Sequence, residues 1–267
     1  MLKGVYKAYK KDGSLYYRSN INYQNKHISL GSYESEIKAY EAYVEAYAIL
    51  KLGHGAFVNS FETIHSLPFS KLVILFNFRD NGMYITTPIY LRENYFSYYL
   101  DESTELKFDI EDLFYYSNRT IIKRGGHLFV NDYGMQVSVL SRFGIRPYAV
   151  CGRDYVFNNG DIYDYRYSNI TVNNIYHGVI CQSTPAGKCY RAQIHLNGYV
   201  KIGVYATAKE AAIAYNKAAD IIHSLGNKQN FPTNYIENIS PKDYADIYAS
   251  IKMPDTIISY MPTNKLD

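Results

Sequence analysis

Residues 4–53 and 178–226 are two versions of one sequence, so this chain is expected to contain two copies of one small domain. Gly4 aligns with Gly178, Tyr17-Arg18 with Tyr190-Arg191, Gly31 with Gly203, Tyr33 with Tyr205, Ala39 with Ala211 and Tyr43 with Tyr215. The alignment slips by one residue at each of two places, within Lys11-Asp12-Gly13 and Tyr23-Gln24-Asn25. Both are turn-like segments, where a length change disturbs no core. A length of 267 residues suits several small domains better than one large core. The organisation this implies is a first copy over 1–60, a middle domain over 61–175, a second copy over 176–233 and a tail over 234–267.

Each copy reads as three short strands and a helix. Polarity alternates over 4–9, 16–23 and 26–32 in the first copy and over 178–183, 189–196 and 199–205 in the second. Asp12-Gly13, Gln24-Asn25, Ala186-Gly187 and Asn197-Gly198 mark the turns of a meander. The helix after Ser35 carries Ala39, Ala42, Tyr43, Ala46, Tyr47 and Leu50 at helical spacing. Its counterpart opens on the capping box Thr207-Ala208-Lys209-Glu210 and repeats the stripe as Ala211, Ala214, Tyr215, Ala218 and Ile222. The fold class is therefore α+β: two small domains, each a three-stranded antiparallel sheet plus a helix, flanking a middle α+β domain.

A helix on one face of such a sheet leaves the other face open, and the two-residue strand period says which side chains point each way. Tyr17, Ser19, Ile21, Ile28 and Leu30 take the core side in the first copy, with Tyr190, Ala192, Ile194, Val200 and Ile202 in the second. The open side takes Tyr6, Arg18, Asn20, Asn22, His27 and Ser29, and then Gln182, Arg191, Gln193, His195, Tyr199 and Lys201. Arginine matches guanine, Asn and Gln match adenine, and Lys serves phosphate, so these sets suit contact with double-stranded DNA.

Charge placement agrees with that reading. The net charge is only +3, but Lys3, Lys7, Lys10, Lys11, Arg18 and Lys26 face Asp12 alone before residue 34, and Lys188, Arg191 and Lys201 have no acid among them over 178–205. The longest apolar run, Leu72-Val73-Ile74-Leu75-Phe76, is far short of a membrane span. Met1-Leu2-Lys3-Gly4-Val5-Tyr6 enters strand-like sequence without a secretory signal, so a cytoplasmic, nucleoid-associated protein is expected. Cys151, Cys181 and Cys189 are odd in number and lack CxxC spacing, which points to reduced thiols rather than disulfides or a zinc site. No cofactor, membrane partner or small-molecule substrate is expected.

The second copy resembles the plant ethylene-response-factor (APETALA-type) DNA-binding domain and its bacterial and phage relatives. The matching residues are Gly178-Val179, Tyr190-Arg191-Ala192-Gln193-Ile194, Ile202-Gly203-Val204-Tyr205, the helix from Thr207 to Ala219, and Asn230-Phe231-Pro232. The first copy matches less fully, through Ser19-Asn20-Ile21, Leu30-Gly31-Ser32-Tyr33 and Ala56-Phe57-Val58-Asn59. The resemblance implies a sheet inserted into the major groove. It places Gln193, His195, Tyr199 and Lys201 at DNA-facing positions, with Asn20, Asn22, His27 and Ser29 matching them more weakly. The chain has no Trp and few of the family's groove-facing arginines, so no target sequence carries over.

The middle segment resembles HNH homing endonucleases through Lys107-Phe108-Asp109-Ile110-Glu111-Asp112-Leu113 and the run from Tyr155 to Ile170, which includes Asn158-Asn159-Gly160-Asp161 and Ser168-Asn169-Ile170. Such an enzyme needs a ligand for a divalent ion and a His as general base. Here Val156 and Phe157 occupy those two positions, Val137-Ser138-Val139-Leu140-Ser141 contains no upstream His, and Asn169 alone keeps the orienting position. Asn173, Asn174 or His177 supplies at most a last ligand. The resemblance thus implies a nuclease frame without catalytic residues or metal ligands. In it Asn159-Gly160-Asp161 serves as a turn and Asp164/Arg166 as a stabilising charge pair, while Arg142, Arg146, Arg153 and Arg166 remain available to phosphate. The alternative is an active HNH-type nicking or homing enzyme with a rearranged metal site drawn from Asp161, Asp164 and His127. In the tail, Ser240-Pro241 opens a helix, read either as packing on a repeat or as a protein contact. The expected activity is sequence-specific duplex binding by a transcriptional regulator derived from a homing endonuclease.

Overall fold

The computed structural model describes residues 2–57, 65–185 and 187–261. Val58, Asn59 and the boundary expected at residue 60, with the turn residue Ala186, lie outside the described residues.

The fold class is α+β, with small three-stranded antiparallel sheets and helices throughout. The first copy comprises β1 (Val5–Tyr9), β2 (Leu15–Tyr23), β3 (Lys26–Tyr33) and α1 (Glu36–Leu52). The second comprises β12 (Val179–Thr184), β13 (Gly187–His195), β14 (Tyr199–Tyr205) and α4 (Ala208–Ser224). Between them run α2 (Phe69–Asn81), β4 (Ile89–Leu91), β5 (Tyr95–Asp101), β6 (Thr104–Asp109), α3 (Leu113–Tyr116), β7 (Ile121–Arg124), β8 (His127–Asp132), β9 (Met135–Ser138), β10 (Tyr155–Phe157) and β11 (Ile170–Val172). The tail forms α5 (Pro241–Ser250) and α6 (Asp255–Ile258).

Two compact units result, one from 1–139 with 161–169, the other from 140–160 with 170–267. The segment expected as one middle domain is thus divided between them. In the first unit the order is β1-β2-β3, β4-β5-β6 and β7-β8-β9, three separate meanders. The core of the first copy, Ile21, Ile28, Leu30, Ala42 and Ala46, continues into Phe57, Leu72, Phe76 and Tyr99. The helix α1 therefore packs on two sides. Ile49, outside the expected stripe, is buried, whereas Tyr47, expected within it, is exposed.

In the second unit, α4 buries Ala211, Ala214, Tyr215, Ala218 and Ile222 as expected, and also Ala212, Ile213 and Asn216. The additional burial comes from the tail. Tyr244, Ile247, Tyr248, Ile251 and Ile257 join the same apolar cluster. Lys217 donates to the carbonyls of Tyr248 and Ile251, and the Tyr248 hydroxyl donates to Asp220. The tail helix, capped by Ser240 with Pro241 in its first turn, thus packs on the repeat.

The residues shared by the two copies occupy the same structural positions. Both middle strands bulge at the same point, Ser19/Asn20 and Ala192/Gln193. The amide of Asn20 donates to the Gly4 carbonyl at 2.9 Å, and that of Gln193 to the Gly178 carbonyl at 2.8 Å. Ser35 and Thr207 cap the two helices through side-chain oxygens, with the full capping box at Thr207-Glu210.

Candidate nucleic-acid interface

Register decides which side chains share a face, because residues paired across antiparallel strands point the same way. In the first sheet Tyr6 pairs with Arg18, Asn20 with Ser29 and Asn22 with His27, so all six expected residues lie on the side away from α1. Ile21 and Ile28 pair on the other side and are buried. In the second sheet Gln193 pairs with Lys201, His195 with Tyr199, Ile180 with Arg191 and Gln182 with Cys189, which collects the other six. Ala192 and Ile194 are buried beneath them.

The two faces differ in openness. Tyr6, Arg18, Asn22, His27 and Ser29 are exposed and only Asn20 is half-buried. In the second copy His195, Tyr199 and Lys201 are exposed, whereas Gln182, Arg191 and Gln193 are half-buried. The first face is also internally ordered. Arg18 donates to the Tyr16 hydroxyl from Nε and Nη2, and Asn22 Oδ1 lies 2.8 Å from His27 Nδ1. These contacts hold long side chains in place and reduce the entropy lost when a partner is met. On the second face, the His195 and Tyr199 rings meet edge to face at 5.0 Å between centroids. Arg191 Nε is buried without a hydrogen-bond partner among the described residues, so this guanidinium keeps an unused donor.

Tyr16, Ile180, Cys189 and Val204 belong to these faces but were not among the expected site residues. Tyr16 and Cys189 follow from extending the strand alternation by one more step. Val204 depends on the bulge at Ala192/Gln193, whose position alternation alone does not reveal.

The run that resembles a nuclease motif is held by a short hairpin, ion pairs and side-chain to backbone bonds. Val156 pairs with Thr171 and Phe157 with Ile170 in the β10–β11 hairpin. Asp161 pairs with Lys107 at 2.9 Å, and Arg166 holds the buried Asp164 through two bonds of 2.8 and 2.6 Å. The Asn169 amide donates to the Asp164 carbonyl at 2.9 Å, a structural tie for the residue expected to orient a base. Asn174 likewise donates to the carbonyls of Tyr176 and Val179. His127 packs edge to face on Phe129. Among the described residues, no group of three His, Cys, Asp or Glu side chains is placed to hold a metal ion. Of the four arginines considered for phosphate, Arg153 and Arg166 are ion-paired with Asp154 and Asp164, and Arg142 and Arg146 are exposed. The three cysteines are free thiols, and no helix among the described residues is long and apolar enough to cross a membrane.

No family model, no curated protein and no solved structure matches this chain.

Proposed function

We propose that this chain is a double-stranded DNA-binding protein that enters the major groove with its two open sheet faces, and that it acts as a transcriptional regulator derived from a homing endonuclease. The observation that carries this reading is the repeated face: two sheets of the same order and register, each presenting amides, an arginine and a histidine opposite its helix. Size agrees. Three strands spaced about 4.8 Å apart span about 10 Å of backbone, which suits a groove about 12 Å wide. Tethering two such faces on one chain raises affinity when both meet one duplex.

The middle segment is read as a frame that does not cut. Valine and phenylalanine at 156 and 157 neither bind a hard cation nor accept a proton. Selection of bound fragments from random duplexes tests the proposal. Recovery of a defined motif, with preference weakened by Gln193→Ala, supports it, and recovery of no sequence preference above background contradicts it.

A further inference from the structure

The second copy contains a small, partly open pocket at the corner of its open face, beside the Gly178 end of β12. Its volume is about 170 Å³, and Tyr148, His177, Gln193, Tyr199 and Tyr215 are among the residues that line it. The rings are ordered against one another. His177 meets Tyr148 edge to face at 4.6 Å and Tyr215 at 5.2 Å, while Gly178 lies so close to Tyr215 that no side chain fits between them.

Two buried polar atoms of these lining residues lack a partner among the described residues. The Tyr215 hydroxyl, on a side chain only 1% exposed, has no hydrogen-bond partner among the described residues, and neither has the buried Nδ1 of His177. A buried unpaired polar atom costs about 1–3 kcal/mol, so a guest that reaches either atom through a small adjustment of the wall relieves that cost. Burial lowers the His177 pKa, which keeps the ring neutral near pH 7 and able to accept or donate.

We infer that this pocket holds a single nucleobase-sized planar heterocycle, taken from duplex DNA as an unstacked base. The volume is below the roughly 300–1,000 Å³ of sites for drug-sized ligands, which leaves room for one ring system and not for a dinucleotide. Aromatic walls provide stacking, and the Gln193 amide, joined by the Tyr215 hydroxyl and His177 Nδ1 once the wall adjusts around a guest, provides edge contacts of the kind used to read an extruded base. Gln193, His195 and Tyr199 belong both to the pocket and to the open sheet face, so a base leaving the duplex at that face has a short path inward. The equivalent notch of the first copy has Gly4, Asn20, Asn22, His27 and Tyr43 at the matching positions, but Lys3 and Lys51 flank it instead of Tyr148 and His177. The base-holding walls are therefore particular to the second copy. The inference rests on the duplex-binding reading.

The test compares the full chain on a fully paired duplex and on the same duplex with one unpaired 2-aminopurine. Binding about tenfold tighter to the second, with a change in 2-aminopurine emission, is expected from one stacked base. Tyr215→Phe removes only the hydroxyl and is expected to reduce that preference about fivefold, the effect of one hydrogen bond, with fully paired binding kept. His177→Phe provides the same reading if the first variant fails to fold. Equal affinity for both duplexes overturns the pocket assignment and leaves duplex binding intact. An orphan hydroxyl of purely structural origin shows itself as a raised melting temperature in Tyr215→Phe with unchanged preference, which also overturns it. If neither duplex binds, thermal stabilisation by millimolar adenosine or thymidine, lost in Tyr215→Phe, supports a site for the free heterocycle. No stabilisation then overturns the inference altogether.

Discussion

Gly178 lies directly on the ring of Tyr215: a β-carbon built on the glycine falls 2.2 Å from Cδ2 of the tyrosine, and Gly4 stands in the same relation to Tyr43 at 2.0 Å. Both glycines have φ above +70°, where side chains are disfavoured in any case. This contact fixes the sheet on the helix and explains why a glycine and a tyrosine recur together in both copies.

Gly178→Ala therefore combines backbone strain with a clash against a buried ring, and an overall loss of about 2–4 kcal/mol is expected. Gly13→Ala is the control. Its φ is +82° but open space surrounds it, so about 1 kcal/mol is expected. Urea unfolding of the two variants checks the difference, and equal losses contradict the packing argument.

The ion pair in the first unit gives a second prediction. Asp164 is fully buried, and Arg166, about one-third exposed, holds it through two hydrogen bonds. Arg166→Met keeps the stem and removes the charge. A loss of about 2–3 kcal/mol is expected, below the range for a fully buried pair because the guanidinium is partly hydrated. Thermal melts measure this directly, and an unchanged melting temperature speaks against a stabilising pair.

Histidine 177 makes stability depend on pH. Its folded pKa lies below 6.5 because burial between Tyr148 and Tyr215 disfavours the imidazolium. The unfolded chain then binds the proton first, so its contribution is fully present above pH 6.5 and is lost as pH falls through the folded pKa. The melting temperature of the native chain is expected to fall between pH 7.5 and 5.5 more steeply than that of His177→Phe. Parallel curves contradict the assignment.

Cleavage is tested separately with supercoiled plasmid in Mg²⁺ or Mn²⁺. No nicking is expected. Metal-dependent nicking that Asp161→Ala abolishes contradicts the reading of the middle segment and favours the rearranged-site alternative.

Much of each copy was legible because strand alternation, turn residues and capping signals agree within it. Ser35, Thr207-Glu210 and Ser240-Pro241 mark helix starts where the helices begin. The alternation also assigns both open faces correctly, since Asn22/His27 and Gln193/Lys201 pair as the period requires. What periodicity did not reveal is what covers the helices. Ile49 and Ile213 are buried by packing against α2 or the tail, long-range contacts that leave no period in the local sequence. The pocket beside Gly178 was also hidden, because Tyr148 and Tyr215 are brought together only by folding. Asn169 shows the reverse case: the residue that keeps the motif's orienting position donates its amide to the Asp164 carbonyl.

The most direct measurement is the salt dependence of duplex binding by the full chain, followed by fluorescence anisotropy. A steep linear fall of log affinity with log salt is expected, with a slope of several units from phosphate contacts. Arg191→Ala with Gln193→Ala is expected to weaken preferred duplex by about 1–3 kcal/mol for each good base contact removed while nonspecific duplex changes less. A shallow salt slope, or preferred binding that survives the double substitution unchanged, contradicts DNA readout by the second sheet.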